Sequence, residues 1–315
     1  MLPLAALFRF LAALRLTLYR AGILRSERLP LPVVVVGNII VGGSGKTPLT
    51  LWLGEQLHER GFKPGVVSRG YGGAGTVREV LTDSAAAEVG DEPLLIKRRT
   101  RLPVFVGKDR VAAARALIKA HPECDLILSD DGLQHYRLAR DFEIAVQDGR
   151  GLMNGWPLPA GPLREPPSRL ARVDALVING VTDVPYAPGL PPQFAMLLDG
   201  DTFHALSNSQ QTCAAKDLTG KRLAAVAGIG DPQRFFSHLR GLGLSFGSHP
   251  FPDHHVFTAA DLNGIDADAL LMTEKDAVKC AGITDRPVWV LPVTARVEPD
   301  LAALVMEKLN GCPPA

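Results

Sequence analysis

Nothing in this 315-residue chain points to disulfide or zinc chemistry. Its four cysteines, Cys124, Cys213, Cys280 and Cys312, are far apart and form no CxxC pair. That spacing fits a reducing compartment and gives no zinc-site signal. An excess of one charge sign is missing too: 34 lysines and arginines face 33 aspartates and glutamates, a formal net charge of +1. A general nucleic-acid binder carries a distinctly basic footprint, so no nucleic-acid partner is expected. Internal repeats and low-complexity tracts are absent. No uninterrupted apolar run reaches the roughly 20 residues of a membrane span, and no charged leader with a small-residue cleavage site marks a signal peptide. What is present, 46% hydrophobic and 21% charged residues, can bury a large core arranged in two lobes.

The most informative stretch is Val33 to Thr47, VVVVGNIIVGGSGKT. Four consecutive valines suit a parallel strand covered on both faces. Gly42, Gly43 and Gly45, with Ser44 between them, let backbone N–H groups converge on an anion. Lys46 adds a mobile positive charge, and Thr47 offers a hydroxyl to Mg²⁺. Thr47-Pro48 then opens a helix, LTLWLGEQLHE, whose N-terminus also faces the phosphates. This reads as a nucleoside-triphosphate cradle of the GGxGKT kind. A standard loop has glycine where this chain has Ile40, and the lysine often found in the variant is replaced by Val41. A dinucleotide site is not expected, because no glycine follows Gly45 at three residues.

The N-terminal segment, MLPLAALFRFLAALRLTLYRAGILR, is apolar but punctuated by Arg9, Arg15, Arg20 and Arg25. It suits a helix lying in a membrane interface, its arginines reaching anionic headgroups. Arg9 and Arg20 share a helical face, whereas Arg15 points about 120° away, so the amphipathicity is imperfect. The bland alternative is a first helix packed on the protein's own core.

Further along, strands and helices alternate as parallel βαβ units require. GVVSRG (65–70), PVFVG (103–107), LILSDD (126–131), FEIAVQDG (142–149) and ALVING (175–180) read as strands. DRVAAARALIKA reads as a helix, and NGWPLPAGPLREPP (154–167) as a long ordered loop or flap. The pattern weakens over 186–220, an inter-lobe connection with short antiparallel strands around FAMLL. A second alternation follows, with LAAVAGIG, ALLMTEKDA and VWVLPV as strands, PQRFFSHLRGL as a helix and DLAALVMEKLNG as the closing helix. The expected layout is a membrane-associating helix at 1–28, a P-loop core lobe at 29–185, a linker at 186–220 and a smaller α/β lobe at 221–315.

Three constellations could act on a bound nucleotide. Asp130-Asp131 ends an apolar strand, where P-loop proteins place an Mg²⁺-linked carboxylate. Adjacent strand residues face opposite ways, so only one is expected at the metal. Val89-Gly90-Asp91-Glu92-Pro93 reads, alone, as a structural acidic turn, although transfer to a hydroxyl benefits from a carboxylate that takes the acceptor's proton. Phe251-Pro252-Asp253-His254-His255 reads, alone, as surface histidines, since no cysteine or HxxxH spacing supports zinc.

GNIIVGGSGKTP, SRGYGG, VGDEP, SDDGLQH, GPLREP and FPDHH occur in this order. The set resembles the tetraacyldisaccharide 4′-kinases of lipid A biosynthesis across nearly the whole chain. The resemblance implies two Rossmann-like α/β/α lobes joined by a short two-stranded linker, with the active site between them. It also implies transfer of the γ-phosphate of ATP to the 4′-hydroxyl of tetraacyldisaccharide 1-phosphate, giving lipid IVA. Carried over by motif, Gly42 to Thr47 would bind ATP, while Thr47, Asp130, Asp131 and Glu92 would manage Mg²⁺. Asp91 and His254 would activate the sugar hydroxyl, and Arg69, Tyr71, Gln134, His135 and Arg164 would contact substrate. The resemblance places the enzyme, as a monomer, on the cytoplasmic face of the bacterial inner membrane. The competing reading, a P-loop NTPase switch or metallochaperone, calls for a base-reading NKxD motif. Here Thr273-Glu274-Lys275-Asp276 has the wrong spacing. A non-catalytic scaffold would not need the full Mg²⁺ apparatus.

Overall fold

The valine run Val33–Gly37 forms a strand buried at every position, as a segment with branched apolar side chains on both faces must be. It lies in the interior of a nine-stranded sheet. The computed structural model describes residues 1–181, 183 and 188–310. In chain order its first part comprises α1 (Leu2–Arg20), β1 (Val33–Gly37), α2 (Lys46–Glu59), β2 (Pro64–Ser68), β3 (Arg78–Glu79), α3 (Ala86–Val89), α4 (Asp91–Thr100), β4 (Val104–Val106), α5 (Arg110–Ala120), β5 (Leu126–Asp130), β6 (Phe142–Asp148), β7 (Ala175–Asn179) and β8 (Gln193–Asp199). The remainder comprises β9 (Thr202–Ala205), β10 (Thr212–Ala214), β11 (Leu223–Ala227), α6 (Pro232–Gly241), β12 (Phe246–Pro250), α7 (Ala259–Asn263), β13 (Ala269–Thr273), α8 (Glu274–Ala277), β14 (Val288–Leu291), β15 (Thr294–Glu298) and α9 (Leu301–Asn310).

The large sheet has the order β15-β8-β7-β6-β1-β5-β2-β4-β3. Its strands run parallel from β8 to β4, with β15 and β3 antiparallel at the edges. The chain moves from β1 to β2 on one side and places β6 on the other, so the order reverses at β1. Ligands of such sheets bind at that switch point, beyond the carboxyl ends of the strands. Val36 of β1 pairs with Asp130 of β5, which sets the glycine-rich loop beside the strand-end aspartates. The second sheet, β10-β9-β14-β13-β11-β12, is parallel from β14 to β12 and carries β9 and β10 antiparallel.

Two expectations about boundaries are corrected. Strand β15 and helix α9 do not belong to the second lobe. Ala295, Val297, Leu301, Ala302 and Val305 join the same core as Val34 and Leu49. The FAMLL segment, expected in a linker, is β8 of the large sheet, parallel to β7 and antiparallel to β15. Alternating burial tells a strand to hide one face but does not say against which sheet. The expected boundary at 185/186, the last glycine of the closing helix and Cys312 lie outside the described residues. The chain crosses between sheets twice, at Gly200-Asp201 and at Pro292-Val293. The two crossings touch: a Cβ on Gly200 would fall 2.2 Å from the Pro292 carbonyl oxygen.

Helix α1 runs for 19 residues through Arg9 and Arg15, and by length and composition it is apolar enough to cross a membrane. Its apolar surface is mostly uncovered, Ala5 being its one buried residue. Leu4, Leu7, Leu11 and Leu14, at helical spacing, are all exposed. The helix docks through its C-terminal end, where Tyr19 packs on Tyr136 at 5.8 Å between centroids. Arg15 lies over that same Tyr136 ring, which explains why it departs from the face of Arg9 and Arg20.

Candidate active site

The phosphate loop is built by two left-handed glycines and braced from outside. Gly42 and Gly45 have φ of 96° and 98°, conformations that cost other residues dearly. A Cβ on Gly45 would also lie 2.3 Å from Asn179 Nδ2. Asn38 Nδ2 donates to Ser44 Oγ at 3.1 Å, and Asn179 Nδ2 donates to the Ser44 carbonyl at 3.0 Å. Arg150 Nη2 donates to the Gly43 carbonyl at 2.9 Å. Ser44 is fully buried, so its hydroxyl supports the loop's shape. The sequence reading missed Asn38, Asn179 and Arg150. The signal for the two asparagines is a polar residue at or just beyond an apolar strand's end. Lys46 heads α2 with its ammonium 3.5 Å from Asp131 Oδ1. Thr47 follows, nearly buried.

The adjacent aspartates have opposite surroundings. Asp130 is fully buried, and its Oδ1 accepts from Thr50 Oγ1 at 3.1 Å. Burial pushes its carboxyl up to about 7, helped by the charges of Glu92 and Asp131 and opposed by Lys46. Asp131 turns away with φ of 47° and accepts from Arg164 Nη1 at 3.1 Å. Burial works against its charge too, yet Lys46 and Arg164 hold it below the usual carboxylate range. Asp130 Oδ2 has no partner. A buried, partnerless acceptor beside a second carboxylate and the Thr47 turn fits a divalent cation. Among the described residues no group of three His, Cys, Asp or Glu side chains forms a ready-made cage. That suits Mg²⁺, which takes one or two carboxylates and completes its shell with water and phosphate. Arg110, also missed from sequence, is buried on the first turn of α5. Its Nη2 donates to the Asp131 carbonyl at 3.2 Å, fixing the strand end, and burial lowers its pKa to about 10.

Asp91 opens helix α4 instead of lying in a turn. The glycines of SRGYGG and VGDEP let the two backbones meet: a Cβ on Gly73 would fall 2.5 Å from the Glu88 carbonyl, and one on Gly90 2.8 Å from that of Tyr71. Asp91 Oδ1 accepts from the Glu92 N–H at 2.9 Å. Its Oδ2 lies 3.0 Å from His254 Nδ1, which the second lobe delivers with φ of 60°. Burial disfavours the Asp91 charge, but His254 and Lys275 outweigh it and hold the carboxyl below its ordinary range. The same bond raises the imidazole's pKa. Tyr71, exposed to 61%, packs its ring on His254 at 4.8 Å. The neighbouring His255 diverges to Asp261, among Phe251 and Phe257.

The other expected contacts separate into two groups. Glu92, expected at the metal, is paired with Lys275 at 2.9 Å, although its charge still reaches Asp130. Arg164 faces the site through Asp131, and Arg69 is exposed, its charge felt at Arg110 beside the strand-end aspartates. Gln134 has a bracing role. It donates to the Asn38 carbonyl at 2.9 Å and to Glu165 at 2.6 Å, and Tyr136 also donates to Glu165. His135 is half-buried with Nε2 unpartnered, and burial, aided by Arg110, pulls its pKa down to about 4. Between the lobes is a cavity of about 340 Å³, floored by Gly43 to Thr47 and walled by Leu95, Leu197, Ile229, Phe235 and Leu291. Glu92, Glu274 and Lys275 also line it. Anionic groups thus have a cradle at one end, and a flat apolar group has walls at the other.

The family model described as LpxK, tetraacyldisaccharide-1-P 4′-kinase, matches residues 1–310. The tetraacyldisaccharide 4′-kinase of Azoarcus sp. (strain BH72) is 53% identical over 320 aligned positions, covering 99% of this chain and 92% of the relative. That of Dechloromonas aromatica (strain RCB) is 54% identical over 313, with the same coverage. Among solved structures, LpxK from Aquifex aeolicus in complex with ATP superposes with a TM-score of 0.81 at 29% identity, covering 98% of both chains.

Proposed function

The chain belongs to the tetraacyldisaccharide 4′-kinase family, and from that premise we propose how its residues carry out the ATP-dependent phosphorylation. The amides of Gly42 to Thr47 and the Lys46 ammonium bind the polyphosphate, as the ATP complex of the Aquifex relative supports. Thr47 and Asp130 would hold Mg²⁺, with Asp131 behind them, and the ion would neutralise phosphate charge. Asp91 accepts the proton of the sugar 4′-hydroxyl as its oxygen bonds to the γ-phosphorus and ADP leaves. His254 fixes the carboxylate's orientation. Arg164 offers its charge to the transferring group. Arg69 and Tyr71, both exposed, approach the sugar phosphate. Gln134 and His135 shape the site from behind.

The observation that carries this reading is the Asp91–His254 contact at 3.0 Å. It joins the two lobes beside Glu92, which lines the same cavity as the phosphate loop, and supports reading the charged carboxylate as the group that receives the acceptor's proton. Closure over the site would exclude water and limit wasteful ATP hydrolysis. A substrate confined to a bilayer also accounts for α1. We infer that its exposed leucine face lies on the cytoplasmic leaflet of the inner membrane, with Arg9 and Arg20 at the headgroups. Incubation with labelled ATP and the disaccharide lipid tests the assignment. Asp91→Ala is expected to cut label transfer by roughly 10²–10⁴, and a loss of only a few-fold would reduce Asp91 to a supporting role. Family membership leaves the nucleotide-switch and metallochaperone alternative without support.

A further inference from the structure

Beyond His254, a second charged group of the smaller lobe converges on Asp91. Lys275 on α8 and Lys279 in the turn just beyond its end face the adjacent acids Glu92 and Asp91. Lys275 lines the cavity and pairs with Glu92. Lys279 is set behind it, with its side chain only 10% exposed. Its ammonium is 3.8 Å from Asp91 Oδ2 and 2.9 Å from Asp276 Oδ1, and it lies over the Phe257 ring. Asp276 is itself immobilised: fully buried, it accepts from the Gly228 N–H at 2.9 Å and the Thr273 hydroxyl at 2.7 Å.

The 2.9 Å contact with Asp276 is an ion pair, and Lys279 Nζ makes no further hydrogen bond. A buried ammonium with unfilled donors is expensive to keep, and this one lies 3.8 Å from the oxygen that also meets His254. Asp91 is therefore clamped on three sides, by the Glu92 N–H on Oδ1 and by His254 and Lys279 on Oδ2. Two of the three clamps come from the other lobe.

We propose that Lys279, anchored by Asp276, is a positioning residue for phosphoryl transfer that holds the Asp91 carboxylate in its reactive orientation once the lobes meet. The inference rests on the role given to Asp91 above. Lys279→Met should lower kcat by about 10–100-fold, the scale for outer partners of reacting groups, with the KM for ATP unchanged. In an Asp91→Ala background the same change should cost almost nothing, because groups that act as one unit are non-additive. A loss that persists in that background, or one expressed mainly in the KM for ATP, overturns the proposal. If Lys279→Met melts too early to assay, Lys279→Arg, which retains the charge, replaces it. Substantially retained kcat supports the proposal, and a loss as large as that of Asp91→Ala refutes it. Asp91→Ala with near-parent turnover would instead sink the role of Asp91 itself, so the two failures are distinguishable.

Discussion

At the scale of single residues, neighbours decide what each carboxylate can do. Asp130 and Asp131 are adjacent, yet burial pushes one up to about 7 while Lys46 and Arg164 hold the other below the carboxylate range. Asp91 is kept ionised against its burial by His254, whose own pKa rises in exchange. The raised imidazole stabilises the folded, closed molecule fully below its ordinary pKa of about 6.5 and loses that contribution as pH climbs through the raised value. The depressed carboxyl contributes above about pH 4 and loses its share as pH falls through the lowered value. The pair is thus strongest between those limits. The melting-temperature deficit of His254→Ala should be larger at pH 6 than at pH 9, and equal deficits would contradict the assignment. Read singly, the two motifs were an acidic turn and a pair of surface histidines, because neither contains its partner, and only the ordered set of motifs linked Asp91 with His254.

At the scale of elements, helix α1 carries two kinds of information. Its leucines at positions 4, 7, 11 and 14 form an uncovered stripe, while Tyr19 and Arg15 attach its end to Tyr136. The exposed stripe was legible as an apolar segment. The docking role of Arg15 was not, since it depends on a ring more than a hundred positions away. Removing residues 1–25 should abolish co-sedimentation with anionic vesicles while leaving ATP binding in place, and unchanged sedimentation would reject the membrane role. Strand β15 teaches the converse. No strand was expected over 294–298, and its alternating burial and return to the large sheet required the completed core of the first lobe.

At the scale of the whole molecule, the site exists only where the lobes meet. Asp91–His254, Glu92–Lys275, Arg99–Glu274 and Asp148–Arg234 all cross that boundary. Asp91 and Asp148 are buried and each meets a partly exposed partner, so these pairs hold the lobes together only while both groups stay charged. Backbone contact at Gly230 permits the approach. A Cβ there would fall 2.7 Å from the Gly43 nitrogen of the phosphate loop. Gly230→Ala should therefore lower kcat/KM by about 10–100-fold through misplaced reacting groups, without lowering the melting temperature. Parent-like kinetics would show that the lobes need not come so close.

What the sequence determined by itself is what contiguous residues can encode. The valine strand, the left-handed glycines, Lys46-Thr47 and the helix behind them follow from local backbone geometry and burial, and the ordered motifs carry the family. The tertiary structure decided which of two aspartates is left with a free oxygen, which lysine reaches which acid, and which sheet the last strand joins. Those choices depend on side chains brought together over long separations, 163 residues in the case of Asp91 and His254. Charge and hydrogen bonding act over a few ångströms of space, and distance along the chain does not report them.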